Sequence, residues 1–358
     1  MQVPKEVLEK FILGFEGRTL PGELSKYLAA GLGGVILFPQ NFSGAEKLLS
    51  LTQEIRRAAG RPVLIGIDQE GGTRFSLPEP FTQWVSPEEL GQLGDAELAE
   101  RQAKAMSREL RAAGVNLDFA PMLDLHLQPQ GPVTKGRSFG SNPQDVGKLG
   151  AAVVRGLAAQ GILACVKHFP GHGDTVIDPH EDLPRFDATL ERLRELELAP
   201  FRRAISAGVP LIMTAHISLP EIDRDWPASL SRRILYGVLR EELKFMGAIL
   251  ADDLGMGAIA KRWPTAEASA RTFSAGSDLA LICHDWKQVR PALEGVSQAL
   301  ARGGFAEADW SASGERIARL REFARSDGQE AGSLEAIGCQ EHCELVREIR
   351  AQLAKSKN

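Results

Sequence analysis

The sequence predicts a (β/α)8 TIM-type barrel, an α/β fold in which one catalytic domain carries a C-terminal helical extension. Three observations point there. Eight short apolar runs rich in Val, Ile and Leu mostly lack alternation, the pattern of strands covered on both faces of a parallel sheet. Amphipathic helical patterns lie between them, giving the regular strand–helix succession that such a sheet requires. Polar groups collect at one end of the runs: Glu16, Asp68, Asp124, Lys167 with His168, His216, Asp252 and His284 stand at or just beyond carboxyl ends, where barrels carry their chemistry. A doubly wound open sheet is the competing architecture, but no G-x-G-x-x-G opens a helix.

In chain order the strand candidates are 11–15, 34–38, 63–68, 115–120, 162–167, 211–216, 248–253 and 279–284. The helix expected at 43–59 opens with Ser43 and Glu46 in capping-box spacing, turns Leu48, Leu51 and Ile55 to one side, and stops at Gly60. The pattern at 95–113 repeats this plan with Leu98, Met106 and Leu110, closed by Gly114. Further helices fit 144–160, 189–207 with an interruption near Pro200, 231–243, 265–274 and 286–301. Past Gly304 two more follow, 307–325 and 334–353, separated by the polar SDGQEAGS. The expected organisation is therefore a catalytic domain over residues 1–304 and helices packed on or trailing the barrel over 305–358.

A chain of 358 residues can bury one large core or two modest ones, and 43% apolar with 25% charged residues is ordinary for a globular protein. The net charge of −5 and the lack of a basic run in either half argue against nucleic acid or a membrane surface as a partner. Cys165, Cys283, Cys339 and Cys343 show no secreted-framework spacing, so a cytoplasmic setting is expected. The amino-terminal stretch has no uninterrupted apolar core, and no window approaches a membrane span.

The chemistry concentrates in residues 165–184, CVKHFPGHGDTVIDPHEDLP. An apolar strand ends in Lys167 and His168, then a glycine-relaxed loop holds His172, Asp174, Asp178 and His180. Asp178 and His180 stand two apart, so a carboxylate can bond one imidazole nitrogen and leave the other to carry a proton. Asp252 follows a buried strand directly, which suits a nucleophile or electrostatic stabiliser, whereas Asp253 fits a helix cap. Asp68, Arg74, Arg137, Lys167 and His168 read as binders of a polyhydroxylated ligand, through charge-assisted bonds fixed on strand ends. An inter-loop salt bridge is the other reading of Arg137. His172 and Asp174 read as loop braces, and His216 and His284 as floor groups or partners of backbone carbonyls. Cys339, His342 and Cys343 share a helix face but supply three metal ligands with no fourth, so no metal is expected there.

At KHFPGHGDTVIDPH, joined to IDQEGG at 67–72, NLDFAPMLDL at 116–125, GRSFG at 136–140, PASLS at 227–231 and ADDLGM at 251–256, the chain resembles family 3 glycoside hydrolases. The nearest branch is the single-domain bacterial β-N-acetylglucosaminidases acting on peptidoglycan fragments. The likeness covers roughly the first 300 residues in order. It implies a retaining exo-β-N-acetylhexosaminidase without metal or organic cofactor. Asp252 would form the glycosyl-enzyme, His180 would be the acid/base oriented by Asp178, and Asp68, Arg74, Arg137, Lys167 and His168 would hold an N-acetylglucosamine-containing glycan or muropeptide. Three positions depart from the family pattern: Pro179 replaces a small serine, the segment after Glu70 is about two residues short near Arg74, and Ala251 replaces a hydroxyl residue before Asp252. Rival readings are a phosphorylase or β-glucosidase of the same family, a Schiff-base aldolase using Lys167, a metal hydrolase using His168, His172 and His180, and a non-catalytic sugar-binding barrel.

Overall fold

The computed structural model describes residues 3–326 and 333–356. Its centre is a closed, all-parallel barrel of β1 Phe11–Leu13, β2 Gly34–Ile36, β3 Leu64–Ile67, β4 Leu117–Asp118, β5 Leu163–Phe169, β6 Leu211–Thr214, β7 Ala248–Ala251 and β8 Leu279–Ile282. Neighbours pair in sequence order and β8 returns to β1, with Ile12 opposite Leu281. This is the (β/α)8 barrel the pattern predicted, and each strand overlaps its expected run. All strand residues are buried because alternate side chains serve two cores. Ile12, Leu64, Leu117, Leu163, Leu211 and Leu279 fill the interior, whereas Leu13, Val35, Ile65, Val166, Ile212 and Ile249 face the helices. Barrel closure leaves little space at the β1–β8 seam, where a Cβ on Gly14 would stand 2.1 Å from the Cys283 carbonyl oxygen.

Several helix ends differ from expectation. Helix Ala45–Ala59 starts after Gly44, at φ 96°, so Ser43 forms no capping box. That motif forms instead at Ser86, whose hydroxyl accepts from Glu89 N while Glu89 Oε2 accepts from Ser86 N, opening an unforeseen helix Pro87–Leu93. Asp95 caps Ala96–Ala112 as its position implied. The 189–207 pattern splits into Leu190–Glu195 and Leu198–Ser206, breaking at Leu196 and Glu197 instead of near Pro200. Pro200 sits in the first turn of the second helix, where a missing N–H costs nothing. Arg233–Glu242 is wound as a π-type helix, and Trp286–Ala301 spans its expected range.

The helix Glu307–Ser326 packs on the barrel and reaches its interior cluster. Its Ile317, Leu320 and Ala324 are buried in the barrel-interior cluster. Lys10 Nζ, beside β1, donates to Ser313 Oγ at 2.6 Å and lies 4.1 Å from the Trp310 ring centroid. The expected 334–353 helix is a 3-10 turn, Leu334–Ala336, followed by Gln340–Ser356, which is tied to Ala96–Ala112 through Arg101–Glu348 and His342–Glu109. Most of SDGQEAGS, residues 327–332, lies outside the described residues. Among the described residues no helix is long and apolar enough to cross a membrane.

Candidate active site

One pocket opens where the strands end. Asp68, Arg74, Arg137, Lys167, His168, Asp178, His180 and Asp252 all line it, so every residue singled out in the sequence for catalysis or binding converges there. Phe75, Met256 and His284 are among the other residues of its wall.

β5 supplies two consecutive groups, and a regular strand cannot send neighbours to one side. Its pairing with β6 runs Cys165 to Leu211 and Val166 to Ile212, then shifts so that Phe169 meets Thr214. That irregularity takes Lys167 and His168 out of alternation and lets both reach the pocket. Lys167 Nζ bonds Asp68 Oδ1 at 2.6 Å and lies 2.7 Å from Glu70 Oε1. Arg137 clasps Glu70 with Nε at 2.8 Å and Nη2 at 2.6 Å, and its Nη1 donates to Val133 O. The inter-loop salt bridge considered for Arg137 is thus present, and the same guanidinium still lines the pocket. Burial works against an ionised Glu70, but Arg137 and Lys167 outweigh it and bring its pKa down to about 2. Burial also works against the Lys167 ammonium; Asp68 and Glu70 overcome it and hold the amine above its ordinary range. A protonated Lys167 between two carboxylates is unsuited to Schiff-base attack, which needs the free amine.

His168 Nδ1 bonds Asp124 Oδ2 at 2.6 Å, and Asp124 also accepts from the backbone N of His172 at 2.7 Å. Asp124 is fully buried; His168 and His172 outweigh its desolvation and keep its carboxyl below the usual range. Burial pushes His172 down to about 3, so its ring is neutral, and it bonds Thr175 Oγ1 at 3.0 Å. Asp174 pairs with Arg192 and accepts from Gln128, so both residues brace the loop as expected.

Asp252 follows β7 directly and is partly buried, with Oδ1 accepting from Asp253 N at 2.8 Å. Burial opposes its ionisation, yet the field of His168 and His216 prevails and its carboxyl stays below the ordinary range. Asp253 has a structural task different from the cap expected. Its Oδ1 accepts from Gly255 N and Cys283 N, tying the β7 turn to the end of β8. His216 serves the same turn, with Nε2 donating to the Asp253 carbonyl at 3.0 Å. Across the mouth, Asp178 Oδ1 accepts from both the backbone N of His180 at 2.9 Å and Nδ1 at 2.7 Å. The His180 side chain is 69% exposed where it lines the pocket. A braced, accessible imidazole can move a proton, and an ionised, partly buried carboxylate can stabilise or capture a cationic centre.

The sequence reading missed Glu70, Asp124 and Phe75 as parts of the site. Glu70 sits within IDQEGG and Asp124 at a strand end, but neither showed its partner, 67 and 44 residues away. Phe75, at φ 49°, lies under Arg137 at 4.2 Å and Lys167 at 5.4 Å. Arg74, on the shortened segment, donates to Pro132 O at 3.0 Å and remains exposed at the rim. Away from the pocket, Cys339, Glu341 and His342 bring donor atoms within 4.8 Å of one another. Arg108 already takes Glu341 and Glu109 takes His342 Nδ1, while Cys343 Sγ turns to Gly338 O.

A (β/α)8 barrel with a charged pocket at the carboxyl ends of its strands defines an enzyme scaffold. Residues 20–320 match the glycosyl hydrolase family 3 N terminal domain, and the chain belongs to that family of glycoside hydrolases. Among relatives, it is 34% identical to beta-hexosaminidase A of Pseudoalteromonas piscicida over 95% of this chain and 62% of that protein. It is 37% identical to the beta-hexosaminidase of Thiobacillus denitrificans over 81% of this chain and 79% of that one. Its fold superposes with a TM-score of 0.93 and 36% identity on a glycoside hydrolase family 3 beta-N-acetylglucosaminidase from Paenibacillus sp. str. FPU-7, covering 98% of this chain and 68% of that one.

Proposed function

We propose that the chain is a retaining, exo-acting β-N-acetylhexosaminidase that hydrolyses terminal N-acetyl-β-D-glucosaminides. The observation that carries this reading is the Asp178–His180 pair, joined at 2.7 Å at the mouth of the pocket that contains Asp252. In the first step the Asp252 carboxylate attacks the anomeric carbon. The bond to the leaving oxygen breaks as protonated His180 delivers its proton there. In the second step neutral His180 takes a proton from water, the water oxygen bonds to the anomeric carbon, and Asp252 leaves. The imidazole thus replaces one carboxylic acid of the usual two-carboxylate plan. Asp68, Lys167, Arg137, His168 and Arg74 would hold the sugar hydroxyls and the acetamido group.

A second cavity of about 770 Å³ shares Arg74, Pro132 and Asp178 with the pocket, and it offers room for the aglycone on the side where the leaving oxygen would be protonated. Peptidoglycan fragments are the substrate class favoured by the motif resemblance, and the similarity to beta-hexosaminidases supports the coarser class of N-acetylhexosaminides. A cytoplasmic setting fits four unpaired cysteines.

The test is a panel of aryl glycosides differing at the 2-substituent and the 4-hydroxyl, followed by covalent trapping with a 5-fluoro sugar. The expected outcome is selective turnover of N-acetyl-β-glucosaminides and label on the peptide containing Asp252. Asp252→Ala should abolish turnover, and near-normal activity would remove the nucleophile assignment. Added phosphate should leave free sugar as the product; accumulation of sugar 1-phosphate would turn the reading toward a phosphorylase.

A further inference from the structure

Resting on the acid/base role proposed for His180, we infer that residues 257–262, just downstream of Asp252, form a seat that holds the His180 loop in register with the nucleophile. Gly257, Lys261 and Arg262 are its positioning residues. The problem this solves is visible in the dyad itself. Asp178 and His180 bond each other within one loop, and His180 is mostly exposed, so their mutual bond does not fix the imidazole relative to Asp252.

Four contacts do. Ala258 N donates to Pro179 O at 3.0 Å and Gly257 N to His180 O at 3.2 Å. Lys261 Nζ donates to Glu181 O at 2.5 Å, and Arg262 Nη1 pairs with Asp182 Oδ1 at 2.6 Å. Successive loop residues 179–182 are therefore each held by the one segment.

Gly257 is the closest point of approach. A Cβ there would stand 2.5 Å from His180 O and 2.7 Å from Glu181 O, and both are backbone atoms, so the loop itself would have to move. The seat is rigidly joined to the nucleophile because Asp253 O accepts from Met256 N at 3.0 Å and Asp253 Oδ1 from Gly255 N at 2.9 Å. Asp252 and His180 are thereby referenced to the same few peptides, though 72 residues separate them in sequence.

The test compares kcat/KM, which reports the glycosylation step, on an alkyl N-acetyl-β-glucosaminide that needs a proton donor and a dinitrophenyl one that does not. Gly257→Ala should lower the alkyl value about tenfold or more and the dinitrophenyl value less than about threefold. Lys261→Met/Arg262→Gln should show the same bias at about threefold, since its ion pair is half-exposed, and Arg262→Lys should restore most of it. His180→Ala is the reference: if it shows no leaving-group bias, the acid/base reading fails and the seat with it. If His180→Ala shows the bias but the seat variants lose both activities equally, or neither, the seat is overturned. Thermal unfolding of each variant monitors folding, and if Gly257→Ala does not fold, the double variant alone decides.

Discussion

Glu70 and Asp124 have almost no exposed surface, yet each serves two groups at the pocket. Glu70 neutralises Arg137 and Lys167, and Asp124 fixes His168 together with the turn at His172. Removing one partner of such a buried set leaves an uncompensated charge, so Glu70→Gln is expected to cost about 3–5 kcal/mol in a urea titration. The carboxyl of Glu70 titrates near 2 in the fold against an ordinary 4.5. Its contribution is fully present above about pH 4.5 and is lost as the pH falls through about 2. Acid unfolding of the wild type should steepen in that window, and Glu70→Gln should lack that component. At this scale the pocket-lining residues were legible because polar groups at strand ends are conspicuous. Their carboxylate partners were not, because a charge pair between distant loops leaves no mark in spacing.

The elements show the same division. Runs of Val, Ile and Leu identified all eight strands, and Asp95 marked a real helix start. Ser43 did not, because Gly44 adopts a positive φ and takes the cap position without a side-chain bond. The shift in β5 pairing that sends Lys167 and His168 to one side was invisible, since register belongs to the neighbouring strand as much as to the strand itself. The β1–β8 seam yields a prediction. Gly14 N donates to Ile282 O at 2.8 Å, and any Cβ at Gly14 would meet a backbone oxygen. Gly14→Ala should therefore part the two strands and lower stability by about 3 kcal/mol or leave the protein insoluble, read by urea titration and soluble yield.

For the whole molecule, the helix Glu307–Ser326 matters most. Ile317, Leu320 and Ala324 complete the interior cluster that the short strands cannot enclose alone. Ending the chain at residue 304 would expose that cluster, and the truncated barrel is expected to aggregate or to melt at least about 10 °C lower by calorimetry. Lys10, 1% exposed, joins β1 to this helix, and burial brings its pKa down from 10.5 to about 8. Between about pH 8 and 10.5 the unfolded chain binds a proton there that the fold does not, so stability should rise with pH across that window. Urea midpoints of the wild type should show this rise, and Lys10→Met should lack it.

By itself the sequence determined the eight-stranded parallel barrel, the end of it that carries polar groups, and the closeness of Asp178 to His180. All three follow from short-range periodicity or from a two-residue spacing. Only the tertiary structure decided that Glu70 and Asp124 govern the pocket cations and His168, that a helix past residue 304 fills the barrel interior, and that residues 257–262 receive the His180 loop. Those contacts join segments tens to hundreds of residues apart. They arise when the barrel closes, and no local pattern of side chains encodes which distant loops closure will bring together.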